Sequence, residues 1–207
     1  MNSGVCKEYN PNSGLPESAA ESAGFQASAN IARMADPRIE IVEADITALQ
    51  VDAIVNAAND RLAPGGGVCG AIHRAAGPEL ARACAAIGRC PTGEARITKG
   101  YKLPAKYVIH AVGPVWKGGA ENEDDLLASC YRESLRLADG ENLASIAFPA
   151  ISTGIYGFPA PRAAGIAVRA VADSLRRQPA IERVVFCCFG NESADLHRKA
   201  LAGIAGS

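Results

Sequence analysis

Asn56, Asn59 and the run Gly65, Gly66, Gly67 close an apolar stretch, IVNAANDRLAPGGGVCG from Ile54 to Gly70, and open a helical pattern at Val68. Without a Cβ these glycines let the backbone take positive φ and approach a ligand closely, and the helix start adds unpaired amides at the positive end of its dipole. That combination suits a phosphate. The asparagine amides both donate and accept, which suits sugar hydroxyls, so the stretch reads as a nucleotide-binding turn. A second loop, PAISTGIYGFP from Pro149 to Pro159, follows the apolar run IAF and offers Ser152 and Thr153 beside Gly154 and Gly157. It reads either as a second phosphate-holding turn or as an ordinary strand-to-helix connection. The rings of Tyr156 and Phe158 weigh toward the first, because large rings in a surface turn usually cover something.

Two other nucleotide motifs fit less well. Gly65, Gly67 and Gly70 have the GxGxxG spacing of a dinucleotide-binding turn, but NDRLAP separates the strand from the glycines and no acidic residue ends a second strand at the expected distance. Gly88 and Gly93 have phosphate-loop spacing, yet Glu94 stands where that loop needs a lysine.

The elements that must hold these loops follow from periodicity. Short apolar runs at IEIVEA, AIVNAA, ARITKG, YVIHAV, SIAFPA and RVVFCCF alternate with helical patterns at 68–76, 78–87, 123–138, 161–177 and 193–203. Alternation of this kind means an α/β fold. Strands that read as continuous Val, Ile and Ala belong to a sheet covered on both faces, so the expected architecture is a three-layer α/β/α sandwich with a mostly parallel sheet. Both glycine loops directly follow predicted strands, which places them on the carboxyl rim of the sheet. Residues 1–36, rich in Ser, Ala, Asn, Gly and Glu, read as a flexible tail, and 37–207 as one domain. Met34 stands just before the first strand and reads as an alternative translation start.

Composition narrows the partners. A net charge of -1 supplies no basic field, so bulk nucleic-acid binding is not expected. No run of roughly 18 apolar residues would span a bilayer, and no basic-then-apolar leader opens the chain. The seven cysteines form an odd set without a CxxC pair and read as reduced thiols of a cytoplasmic protein. No ligand cluster with zinc spacing is visible, so no metal is expected; no cofactor is expected either.

ADIT at 44–47, VDAIVNAAN at 51–59, GGGV at 65–68, AIHRAAGP at 71–78, YVIHAVGPVW at 107–116 and PAISTGIYGFP at 149–159 together resemble the macrodomain family, and more narrowly its MacroD-type branch. The resemblance covers roughly residues 38–203 and implies the macrodomain fold, with a mixed, mostly parallel sheet, and a site for ADP-ribose or its esters. By the same resemblance, Asp45 accepts from the adenine amino group and Ile46 lines that pocket, although Asp45 also fits a helix N-cap. Phe189 corresponds to the aromatic that packs on adenine, with a core role as the alternative, and Asn191 lies near the proximal ribose. The diphosphate falls between Gly65, Gly66, Gly67, Val68 and Gly70 on one side and Ser152, Thr153, Gly154, Ile155, Tyr156 and Gly157 on the other. Asn59 matches the residue holding the distal ribose, Asn56 braces the loop, and Phe158 packs on that ribose.

The implied activity is hydrolysis of O-acetyl-ADP-ribose, or of the ester joining ADP-ribose to Glu or Asp of a mono-ADP-ribosylated protein. MacroD-type enzymes carry an aspartate two residues after the glycine run, and here that position is Cys69. A carboxylate is ionised at pH 7 and can orient water, whereas thiols in model peptides ionise near about pH 8.5. The expected catalytic residues are therefore Asn59 and Cys69, with attack assisted by the substrate's own diphosphate. The alternative is a binding module without turnover. His73, four residues beyond Cys69, has the helical spacing to meet it, and packing is its other reading. Asp60 is a further candidate base that follows Asn59 toward solvent.

Overall fold

The computed structural model describes Met1 and residues 36–205. The expected tail, apart from Met1 and Asp36, lies outside the described residues, as does Met34. Six strands, β1 (Ile39–Glu43), β2 (Ala53–Ala57), β3 (Ala95–Lys99), β4 (Tyr107–Ala111), β5 (Ser145–Phe148) and β6 (Arg183–Cys188), alternate with five α-helices. The helices are α1 (Gly67–Ala76), α2 (Pro78–Ile87), α3 (Glu123–Gly140), α4 (Ala160–Leu175) and α5 (Asn191–Ala205). The strands form one sheet in the order β1-β6-β5-β2-β4-β3. Every neighbouring pair is parallel except β3 with β4.

The sheet is apolar on both faces because helices cover both, and successive residues of a strand serve opposite layers. Along β2, Ile54 packs into a cluster with Ile72 of α1 and Leu80 of α2. Its neighbour Val55 faces Leu127 and Tyr131 of α3 and Val168 of α4. The ring of Tyr131 lies 5.1 Å from that of Phe148, which is 6.2 Å from Phe186, offset contacts that add to plain area burial. Asn56 shares the face of Ile54 and so sits beneath α1, in a strand otherwise apolar.

Helix ends follow local chemistry. Pro78 opens α2 at its first turn with Glu79 beside it, where a missing N–H costs nothing and a carboxylate complements the dipole. Gly77 precedes it at φ 86°, a conformation glycine takes without strain. The helix expected from Val68 begins one residue earlier, at Gly67, behind Gly66 as N-cap, and α5 begins at Asn191 rather than at 193. The first shift falls at a glycine and the second directly after one, Gly190, and a glycine can precede or start a helix without any periodic signal. Among the described residues no helix is long and apolar enough to cross a membrane.

Candidate functional site

The carboxyl ends of β1, β2, β4, β5 and β6 open into a cleft of about 1000 Å³, lined by 43–46, 57–59, 65–69, Ala71, Gly113, 149–156, 187–190 and Ser193. This is the rim where ligands of open α/β sheets bind. Among the described residues, only Glu43 and Asp45 of its lining side chains are charged, and no lysine, arginine or histidine lines it. An anion held here must therefore be held by dipoles.

Those dipoles are present. Gly66 caps α1 with no side-chain hydrogen bond, and the first intrahelical donor is Gly70 N–H, which reaches the Gly66 carbonyl at 3.3 Å. The amides before it, including Val68 and Cys69, belong to the unpaired first turn. Across the cleft, the second loop turns on Ser152, at φ 66°, and Gly157, at φ 66°. It is closed by Phe158 N–H to Ser152 O at 3.0 Å and Gly157 N–H to Gly154 O at 2.9 Å, with the Thr153 hydroxyl donating to Ala150 O. A non-glycine residue in the left-handed region carries strain of the kind found at ligand clamps. The two loops meet over the cleft, because a Cβ built on Gly66 would lie 3.3 Å from Ile155 Cδ1.

At one end stand Asn59, Cys69 and Tyr156. A Cβ on Gly65 would lie 3.6 Å from Asn59 Nδ2 and 3.7 Å from Cys69 Sγ, so that glycine leaves both facing the same space. Burial, with Asp60 and Cys69 as further contributors, pushes the Tyr156 phenol up. Asn59 rather than Asn56 braces the loop: its Oδ1 accepts from Arg61 N–H and Ala63 N–H, and its Nδ2 donates to Ala63 O. Asn56 is fully buried, and its Nδ2 lies 3.1 Å from His110 Nδ1 and 3.7 Å from Cys69 Sγ. Cys69 Sγ donates to Ala63 O at 3.7 Å. His73 makes no bond to Cys69; it is 8% exposed with both ring nitrogens unpartnered, and its ring lies 6.4 Å from that of His110. Asp60 pairs with Arg89 and does not line the cleft.

At the other end Asp45 caps a 3₁₀ turn, Ile46–Ala48, its Oδ1 accepting from the Thr47 amide at 2.9 Å and hydroxyl at 2.7 Å. The Thr47 hydroxyl, then its amide, hold the Asp45 carboxyl below the usual range. Ile46 is buried beneath it, and Phe189 is fully exposed over the cleft rather than in the core. Asn191 does not line the cleft; in its satisfied orientation its amide donates to both oxygens of Glu43.

Phe158 is likewise absent from the lining. It is 2% exposed and packs on Trp116 with ring centroids 4.7 Å apart, so the structure corrects its expected place on a ribose: an apolar ring one residue past a tight turn folds back into the core. Gly70 is buried, and Gly157, although exposed, does not line the cleft either. Sequence reasoning did not single out Gly113, where a Cβ would lie 2.1 Å from Ser152 Oγ; a glycine just beyond the β4 run was the available signal. Glu43 and Ser193 were missed for want of any motif. Among the described residues no group of three or more His, Cys, Asp and Glu could hold a metal ion.

A family model described as Macro domain matches residues 55–167. A macro domain-containing protein of Chlorobaculum tepidum is 60% identical over 164 residues, 79% of this chain and 95% of the relative. A protein of Escherichia coli named O-acetyl-ADP-ribose deacetylase is 54% identical over 168 residues, 79% of this chain and 95% of its own length. Among solved structures, a variant of the Oceanobacillus iheyensis macrodomain with ADPR superimposes with a TM-score of 0.79 at 40% identity, over 82% of this chain and 94% of that one. The Trypanosoma brucei macrodomain in complex with ADP-ribose gives 0.74 at 38% identity, over 94% and 97%.

Proposed function

Because the chain belongs to the macro domain family, we propose that its cleft binds ADP-ribose and hydrolyses an ester at the distal ribose, as in O-acetyl-ADP-ribose or a Glu- or Asp-linked mono-ADP-ribosylated protein. The observation that carries this is the pair of loops, Gly65–Cys69 and Ser152–Tyr156, facing one another across a cleft that no cationic side chain among the described residues lines. The diphosphate lies between them on backbone amides and the α1 dipole. Adenine lies toward Asp45, whose free oxygen accepts from its amino group, with Phe189 placed to cover the base. The distal ribose lies at Asn59, Cys69 and Tyr156. Support for the chemistry comes from the Escherichia coli relative's name, O-acetyl-ADP-ribose deacetylase.

A second reading, binding without turnover, is favoured by one observation. Among the described residues the only carboxylates lining the cleft, Glu43 and Asp45, stand at the end of β1, three strand spacings, roughly 14 Å, from the end of β2, so neither reaches the Cys69 end. One experiment separates the readings: titrate ADP-ribose into the full chain by calorimetry, then follow acetate release from O-acetyl-ADP-ribose and ADP-ribose release from a Glu-linked modified protein. Binding with release above the uncatalysed rate is the expected result. Binding without release of either product leaves the second reading, and no binding refutes both.

A further inference from the structure

We propose that Cys69 is the acyl acceptor of this site, taking the acetyl group of an O-acetyl-ADP-ribose ester as a thioester before water releases it. The inference rests on the ester-hydrolase reading above and names the residue that makes it work without a carboxylate.

Three observations carry it. First, Cys69 lines the cleft on the first turn of α1, sharing the face of Gly65 with Asn59. Among the described residues it is the one thiol at that end, since Cys187 and Cys188 close the far strand β6, and burial pushes Cys187 up to about 11. Second, its sulfur is held from two sides: buried Asn56 donates to it, and it donates to Ala63 O. Asn56 is in turn anchored on His110, whose Nε2 lies 3.0 Å from Thr98 Oγ1. Burial pushes His110 down to about 3, with His73 as a lesser cause, so the neutral ring accepts from Asn56 at Nδ1 and donates to Thr98 from Nε2. Asn56 and His110 are thus positioning residues. Third, and independently of the thiol, Ser152 lines the same cleft while 5% exposed and with its hydroxyl unpartnered. A buried polar group left unpaired costs free energy that a polar ligand would offset.

The chemistry balances without any co-reactant but water. Sulfur bonds to the acetyl carbonyl carbon, the ester C–O bond breaks, and the departing ribose oxygen takes the proton that sulfur gives up. The transient oxyanion is met by first-turn amides of α1. Water then adds to the thioester, releasing acetate and a proton and restoring the thiol. Splitting the reaction this way replaces one difficult attack by water with two easier steps.

The test uses the full chain with O-acetyl-ADP-ribose as probe. Acid quenching during turnover should trap a protein species heavier by one acetyl group on Cys69, removable by hydroxylamine. C69A and C69S should lack it and lose about 100-fold or more in deacetylation, while their ADP-ribose affinity changes by less than about threefold. If the thioester hydrolyses as fast as it forms, hydroxylamine added during turnover should capture the acetyl group as hydroxamate with the wild type and not with C69A. N56A should slow alkylation of Cys69 by iodoacetamide, or abolish its protection by ADP-ribose, and T98V should reproduce part of that effect. Turnover with neither adduct nor hydroxamate, and a C69A rate like that of the wild type, overturns the role of Cys69 and leaves the hydrolase reading standing. ADP-ribose binding without any turnover overturns both.

Discussion

At the scale of the residue, the proposed reaction turns on position 69. The relevant difference between a thiol and a carboxylate there is covalent: sulfur can accept an acyl group, whereas a carboxylate in its place orients water. Cys69→Asp is therefore expected to turn over O-acetyl-ADP-ribose without any acetyl adduct, measured by acid-quench mass spectrometry. An adduct persisting in that variant would mean that acetylation occurs at another side chain. Of the two asparagines, Asn59 braces the loop where Asn56 was expected to, and Asn59 also keeps its place on the cleft. Asn56 lies within β2, where alternation fixes its side chain under α1, whereas Asn59 lies just past the strand and turns back on its own loop. Both are Asn in the same short string, and only the end of the strand between them separates a buried amide from one on the cleft.

At the scale of the element, the first glycine loop and α1 act as one unit. Gly70 has no room for a side chain, because a Cβ would lie 2.5 Å from the carbonyl oxygen of Gly65. Gly70→Ala is expected to displace that loop, lowering stability by about 1–3 kcal/mol and weakening ADP-ribose roughly tenfold; calorimetry and thermal melts check both, and an unchanged melt would refute the contact. Since no cationic side chain among the described residues lines the cleft, the proposed diphosphate site rests on fixed amide dipoles at short range. The affinity for ADP-ribose should change by less than about threefold between about 0.05 and 0.5 M salt, where a site built on several lysines or arginines would lose far more. A second element is fixed by Glu123, which is 2% exposed and accepts from the amides of Lys117, Gly119 and Glu121. Desolvation alone would raise its pKa, but these backbone bonds outweigh it and hold the carboxyl down to about 2. Its contribution is thus fully present above the ordinary 4.5 and lost as pH falls toward 2. Glu123→Gln should lower the melting temperature at neutral pH and shrink the difference between neutral and acidic melts; equal losses at both would contradict the ionic role.

At the scale of the whole molecule, the three histidines of the chain, His73, His110 and His197, are all buried. Burial pushes each below its ordinary 6.5, with His110 lowest at about 3. The unfolded chain protonates them first, so stability is lost as pH falls below about 6.5, by up to about 1.4 kcal/mol per pH unit for each histidine. Urea midpoints between about pH 5 and about pH 8 should fall steadily on the acid side, and a flat profile would show that these rings are solvated. Much of the molecule was legible in the chain. All six strands and five helices follow from periodicity, because a sheet covered on both faces needs uninterrupted apolar runs and an amphipathic helix needs a stripe. The rim holding the site was legible as well, because both glycine loops follow strands. Strand order, the reversal of β3 and the facing of each side chain were not, since they depend on pairings between residues far apart in sequence. The sequence by itself therefore determined the elements, the two loops and the thiol at position 69. Only the tertiary structure decided that Phe158 belongs to the core, that Phe189 stands over the cleft, and that Asn56 and His110 stand behind Cys69. Those outcomes are set by which surfaces the fold brings together and leaves dry, and that is a property of packing rather than of any local run of residues.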